Sequence, residues 1–366
     1  MTPTARRLNR ATLHRQMLLE REPAGPVTAV EKVVAIQAQE PASPYVALWN
    51  RVEDFDPAGL DAAFASGEVR KASLMRITLH AVTAADHEVF HHAMLPVLRA
   101  SRLHDKRFRG MDITVEQADA LLEHLREFTA QPRQKAEIEE LLHTHVGDVG
   151  EPGVWWALRT YGGLVHAPTG GPWSFGLRPS YRSVPAGPRE QKAAVAELLR
   201  RYLTGFGPAT VPDMNQFTML PRTTIREALA LLDLVRDGEH YDVPQGTLPD
   251  EDTPAPPRLM AMWDSILLAY ADRSRVLPEQ YRKAVIRANG DTLPTLLVDG
   301  HVAGVWRPVE AGVELTSFHA LTDDQWAGLE EEAAALKKFL GDREPQVYRR
   351  YARWWNSLPA HDVRVV

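Results

Sequence analysis

Two glutamines one residue apart, Gln37 and Gln39, stand near the end of Val33-Val34-Ala35-Ile36-Gln37-Ala38-Gln39-Glu40-Pro41. A glutamine side chain has both an acceptor oxygen and a donor amide, so two of them can hold one polar ligand between them. Residues two apart on a continuous helix point away from one another, so sharing a ligand requires the helix to have ended. Pro41 and Pro44 disfavour helical geometry just before them. The helix is therefore expected to end near Gln39 or Glu40, where both amides can turn toward one point. Glu40 beside them is a stronger base, or simply a carboxylate facing solvent. Without a shared ligand, the stretch reads as a helix C-terminus with solvated amides.

A second constellation is His87-Glu88-Val89-Phe90-His91. It has the H-E-x-x-H spelling of zinc peptidases, in which two histidines one turn apart bind the metal and the glutamate activates water. Thr83-Ala84-Ala85-Asp86 caps this helix, so the two rings share a face. A third ligand is needed, and among 14 histidines nothing marks His143 or His145 for that role. The competing reading, packing histidines on an apolar face, leaves the chain without a metal, and that is the expectation. The chain has no Walker loop, no G-x-G-x-x-G after a strand and no G-x-S-x-G elbow.

Composition narrows the classes. With no cysteine, disulfides, thiolate metal sites and a cysteine nucleophile are excluded, which fits a cytoplasmic protein. The N-terminal stretch lacks the apolar core of a signal peptide, and no apolar run reaches membrane-spanning length. A formal net charge of −6 argues against a chain coated in nucleic acid but leaves room for a local basic groove.

The elements around the glutamines follow a recurring order. Leu8, Leu13, Met17 and Leu18 mark a first helix. Thr28-Ala29-Val30-Glu31 is a capping box for a second, and Asp56-Pro57 opens a third that runs to Gly67. Ser73 to Val82 alternates like one strand, with Leu74, Arg76, Thr78 and His80 on one face. Three helices and a strand make a winged helix, a variant of the helix-turn-helix. The order recurs behind Thr114, with helices to Leu158 and a hairpin of Leu164-Val165-His166 against Trp173-Ser174-Phe175. It recurs again from Gln191, with Thr210 and Arg222 opening two short helices before His240-Tyr241-Asp242-Val243. The expected organisation is winged helices over 1–110, 111–186 and 187–245, then an acidic, proline-rich linker over 246–257. In 258–366 an Asp299-Gly300 hairpin and a helix capped by Thr322 follow. The fold class is α+β, mainly α. The tail Tyr348-Arg349-Arg350-Tyr351-Ala352-Arg353-Trp354-Trp355 either stacks on nucleic acid or packs on the body.

These residues resemble a family. Ile36-Gln37-Ala38-Gln39 with Pro44-Tyr45-Val46-Ala47-Leu48-Trp49, Leu74-Met75-Arg76-Ile77-Thr78-Leu79-His80, Phe206-Gly207-Pro208-Ala209-Thr210, Tyr270-Ala271-Asp272-Arg273-Ser274 and Leu297 to Arg307 are similar to the AlkZ-type winged-helix DNA glycosylases of the YcaQ-like superfamily. The resemblance covers nearly the whole chain. It implies three tandem winged helices in a C-shape around a concave DNA-binding surface. It also implies excision of bulky N7-alkylguanines and unhooking of interstrand crosslinks, as in self-resistance to azinomycin. The family's motif of glutamine, apolar residue, then glutamine or aspartate falls on Gln37 and Gln39, and the second glutamine points to the AlkZ branch.

The chemistry suits two amides. Glycoside hydrolysis ordinarily needs an acid for the leaving group and a carboxylate opposite. An N7-alkylguanine is already cationic and leaves as a neutral base, so what remains is to orient a water below C1′. The resemblance places the strand of Arg76 and His80 within the glutamine-bearing winged helix, where Arg76 is expected to bind a phosphate beside the lesion and His80 a sugar or phosphate oxygen; the competing readings are a salt bridge and a packed histidine. Arg178, Arg182, Arg222 and Arg226, with the cluster Arg102, Lys106, Arg107 and Arg109, are expected to supply a basic surface for the duplex. Where the family carries a basic wing, this chain has Pro172-Trp173-Ser174-Phe175. The expected partner is double-stranded DNA with alkylguanine or crosslink lesions, with no cofactor, membrane or obligate protein partner. The competing readings are a non-catalytic winged-helix regulator and the zinc peptidase of His87 and His91.

Overall fold

Thr4 starts helix α1 (Ala5–Arg15) by accepting from the Arg7 amide, one of the four donors a helix start leaves open. The structure, a computed structural model, describes residues 3–147, 151–185 and 187–366. Helix α2 (Pro26–Val33) opens on Pro26 behind Gly25, not on a Thr28 capping box, since proline's fixed φ already suits a first helical position. It ends at Val33, earlier than the prolines suggest. Val34 turns the chain with φ 72°, and the buried Ile36–Gln37 becomes strand β1. Pro44 instead sits in the first turn of α3 (Ser43–Trp49), so it opens the next helix and does not close the previous one. Helix α4 (Pro57–Ser66) is capped by Asp56 and closed by left-handed Gly67, as the sequence indicates.

The single strand expected over Ser73–Val82 is two strands. β2 (Val69–Ser73) and β3 (Leu79–Thr83) pair antiparallel around a one-turn 3-10 segment, Met75–Ile77. Helix α5 (Ala84–Leu103) follows at once, capped by the Thr83 hydroxyl. Then come α6 (Lys106–Arg109), α7 (Val115–Phe128) behind its Thr114–Gln117 capping box, β4 (Arg133–Gln134), α8 (Lys135–Val146) and α9 (Glu151–Tyr161).

β5 (Leu164–Ala167) pairs with β6 (Ser180–Ser183) and not with Trp173–Phe175. Those aromatics turn inward. Phe175 meets Phe64 edge-on at 4.9 Å, Trp173 packs 5.2 Å from Tyr45, and the Trp173 indole donates to Glu344 at 2.9 Å. Burying them gains more than alternating them along an exposed wing would. All strands up to this point join one six-stranded sheet in the order β1-β3-β2-β5-β6-β4, with β1 at its edge.

Helices α10 (Gln191–Phe206), α11 (Val211–Thr218) and α12 (Arg222–Leu229) precede the two-stranded β7 (Val235–Asp237) and β8 (His240–Asp242). Segment 246–257 is fastened to α1: Arg15 reaches the Thr247 carbonyl at 3.1 Å and Arg10 the Thr253 carbonyl at 2.7 Å. Beyond it lie β9 (Arg258–Leu259), α13 (Arg282–Val285), β10 (Thr295–Val298), β11 (His301–Val309), β12 (Gly312–Ser317), α14 (Asp323–Gly341) and β13 (Asp362–Val365). These strands form a second sheet, β13-β12-β11-β10-β9, whose hairpin turns at Asp299-Gly300 with both residues at positive φ. In the tail, Tyr348, Tyr351 and Trp355 are buried, with Tyr351 edge-on to Trp263 at 5.5 Å, so these aromatics pack on the body. Among the described residues, no helix is long and apolar enough to cross a membrane.

Candidate active site

β1 lies antiparallel to β3 with Gln37 directly opposite His80. Gln39 lies in the bend just after β1, and both side chains meet the same stretch of β3, Gln37 opposite His80 and Gln39 at Leu79, without any helix unwinding. Gln37 is buried, at 2% exposure, and its Oε1 accepts a 2.7 Å hydrogen bond from Arg76 Nη2. Gln39 is half-buried. Its Oε1 accepts from the Leu79 amide at 3.0 Å while the Ala38 amide donates to the Leu79 carbonyl at 2.8 Å. A side-chain amide thus continues the ladder that the backbone leaves off. A guanidinium and a peptide N–H only donate, so both side chains must present oxygen to them. Each NH2 group, and one lone pair on each oxygen, remains for a ligand.

Arg76 holds this arrangement from an uncommon backbone position. It and Ile77 lie at φ 53° and 59° in the turn between β2 and β3, a region bulky and β-branched residues avoid. From there the guanidinium reaches Gln37, His80 Nε2 at 3.2 Å and the Phe217 carbonyl on α11 at 3.4 Å, with the Phe217 ring 5.4 Å away. Burial, and then the charge of Arg273, lower its pKa to about 10, so it remains a cation at neutral pH.

His80 is fully buried. Nδ1 lies 3.0 Å from the Thr78 carbonyl and so carries the proton, while Nε2 accepts from Arg76. Burial first, and the Arg76 charge second, push its pKa down to about 3. It is a neutral brace behind Gln37, with both ring nitrogens engaged inside the protein. The expected sugar or phosphate contact has no free ring nitrogen here.

Glu40 falls on the opposite side of the strand. Lys71 opposes Ala81, which opposes Ile36, so the lysine occupies the face that Gln37 does not. Its ammonium stands 4.4 Å from the Phe175 ring. Burial lowers its pKa to about 8 against the opposing pull of Glu40, whose carboxylate also accepts from the Tyr351 hydroxyl at 3.4 Å. This places Glu40 away from the amide pair.

The basic residues divide. Arg222 and Arg226 are exposed on α12, directly after the helix whose Phe217 touches Arg76. Arg182 lies half-buried on β6, four strand spacings from β1, or ~19 Å. Arg178 is exposed in the loop between β5 and β6. Arg102 and Arg107 stack their guanidinium groups on Trp156 at 4.2 and 4.8 Å. The structure thus brings Gln37, Gln39, Arg76 and His80 together, puts Arg222 and Arg226 on the helix after α11, and sets Arg182 at the far side of the sheet. Sequence reasoning missed Phe217, 141 positions from Arg76, and Lys71, since neither carries a local signal.

His87 and His91 stack at 5.8 Å on α5, both buried. Burial drives the pKa of His87 well below its ordinary value and that of His91 to about 4. Arg70 Nη1 sits 3.4 Å from His87 Nδ1, a position where its charge repels a metal ion. Among the described residues, no three His, Asp or Glu side chains group as metal ligands.

The family profile described as DNA glycosylase AlkZ-like matches residues 30–339, and the chain belongs to this family of DNA glycosylases. It is therefore an enzyme that acts on DNA, and the regulator and peptidase readings fall away. The chain is similar to the interstrand DNA cross-link repair glycosylase of Streptomyces sahachiroi, with 25% identity over 90% of this chain and 94% of that protein. Its fold is similar to the solved structure of Streptomyces sahachiroi DNA glycosylase AlkZ, with a TM-score of 0.77, 19% identity, and coverage of 93% and 98% of the two chains.

Proposed function

We propose that this enzyme hydrolyses the N-glycosidic bond of N7-alkylguanines in duplex DNA, including those that form interstrand crosslinks, with Gln37 and Gln39 holding the attacking water. The observation that carries this reading is the pair of oriented amides at the sheet edge, each held through its oxygen by an obligate donor. The water's oxygen bonds to C1′ while the C1′–N9 pair returns to the base and cancels its positive charge. The water's proton passes to solvent, since amides do not take it. No general acid is needed, which suits a site whose one adjacent histidine is neutral and buried.

The Gln37 and Gln39 oxygens accept from the water, and their dipoles favour positive charge growing on the sugar. Arg76 fixes Gln37 and faces the phosphates at its exposed edge. Arg222 and Arg226 hold the duplex backbone, and Arg178 and Arg182 extend that contact along the sheet. The setting is the cytoplasm, on chromosomal DNA.

The test is incubation with N7-methylguanine duplex and with an N7-linked crosslinked duplex, scoring free base and abasic sites with and without EDTA. Release of base in both conditions supports the reading. A wild-type protein that leaves both substrates intact contradicts it.

A further inference from the structure

We propose that Met219 is a wedge that enters the base stack beside the lesion and opens it for the amide pair; this rests on the glycosidic reading above. Six large hydrophobic side chains stand exposed among the described residues, and Met219, at 48%, is the one on the turn between α11 and α12. It lies two residues after Phe217, whose carbonyl takes Arg76 Nη1, and Arg76 in turn holds Gln37. Arg76 thus ties the helix that ends at this turn to Gln37.

Folding gives no reason for methionine at this position. Met219 caps α11 in the left-handed region at φ 64°, where glycine or asparagine is the ordinary choice. An apolar side chain there is both strained and exposed to water. The turn beneath it is rigid. The Met219 amide donates to the Asn215 carbonyl at 2.7 Å, Asn215 Nδ2 to the Leu220 carbonyl at 2.8 Å, and the Leu220 amide to the Thr218 hydroxyl at 3.1 Å. A rigid turn can push a side chain into a gap, where a mobile loop would recoil.

Arg222, exposed in the first turn of α12, lies three positions on and can hold a phosphate beside the insertion. Unbranched, polarisable methionine adapts to the irregular space between parted base pairs, and apolar wedges of this kind unstack DNA elsewhere. A base must leave the stack before water can reach its C1′ from below. The Met219 tip supplies that opening.

The experiment compares the wild type with Met219→Gly and Met219→Leu on two duplexes, with N7-methylguanine either paired to cytosine or opposite an abasic analogue. On the second substrate the stack is already broken. Met219→Gly should excise the paired lesion at least ~10-fold more slowly and the unpaired one at the wild-type rate, and Met219→Leu should retain activity on both. Its thermal midpoint should not fall, because glycine suits the left-handed cap. Equal losses on both substrates, or none on the paired one, would overturn the proposal. A 2-aminopurine beside the lesion gives an independent readout in Gln37→Ala protein. Its fluorescence should rise on binding, and the rise should vanish when Met219→Gly is added. If the wild type excises neither lesion, the glycosidic reading fails, and this fluorescence still decides the wedge.

Discussion

Gln37 and Arg76 are joined by a 2.7 Å hydrogen bond, and the residue that makes it sits in one of the most strained turns of the chain. Two consecutive non-glycine residues at positive φ, one of them isoleucine, cost about 1–2 kcal/mol each. That strain lies where the Gln37 oxygen is aimed, and the contacts to His80 and Phe217 hold it there.

Arg76 should therefore act through Gln37. A hydrogen bond to a charged group is worth about 1.5–3 kcal/mol, or roughly a 10- to 100-fold loss in rate when removed. Arg76→Ala should lower the single-turnover excision rate by that factor with a smaller change in duplex affinity, and Arg76→Lys should recover part of it. A loss confined to affinity would instead make Arg76 a phosphate contact alone.

Acid should weaken the fold well before carboxylates titrate. His80 and His91 have folded pKa values of about 3 and about 4 against an ordinary 6.5, and His87 is shifted the same way. Between those limits the unfolded chain binds more protons than the folded one, so stability is full above about 6.5 and falls as pH drops toward 4. The urea midpoint at pH 5 should lie below that at pH 7.5. His91→Leu should flatten the dependence. A midpoint constant over this range would mean these rings are not held neutral.

Most helix caps were readable, the expected Thr28 box of α2 being the exception. Thr83, Thr114, Thr210 and Thr322 each accept from the expected amide, Asp56-Pro57 opens α4, and Asp299-Gly300 turns the C-terminal hairpin. Such signals are local, with one side chain answering one nearby donor. The glutamine pair was readable as a site but not in its geometry. No residue type announces Val34 at φ 72°, and prolines that look like a stop for α2 serve as the start of α3. Arg-Ile in a left-handed turn contradicts local preference, so the alternating Ser73–Val82 read as one strand. Trp173 and Phe175 alternate like a strand but take partners, Tyr45 and Phe64, more than a hundred positions away.

The duplex should be held by α12 more than by β6. Arg222→Ala and Arg226→Ala should each weaken binding to any sequence and reduce the salt slope of log K by roughly one. Arg182→Ala should affect excision less, since β6 lies ~19 Å from β1. An effect from Arg182→Ala equal to those on α12 would require a wider DNA footprint than this placement supplies.

Gln37 and Gln39 should behave as one unit, because both must be in place to hold a single water. Gln39→Asp should keep measurable activity, as a carboxylate also holds water and favours a cationic sugar. The most direct measurement is the single-turnover rate of N7-methylguanine release by Gln37→Ala, Gln39→Ala and the double variant at saturating enzyme. Each should lose about a hundredfold or more, the double variant little beyond either single one, with duplex affinity close to wild type. A correctly folded double variant that releases the base at the wild-type rate would contradict the assignment.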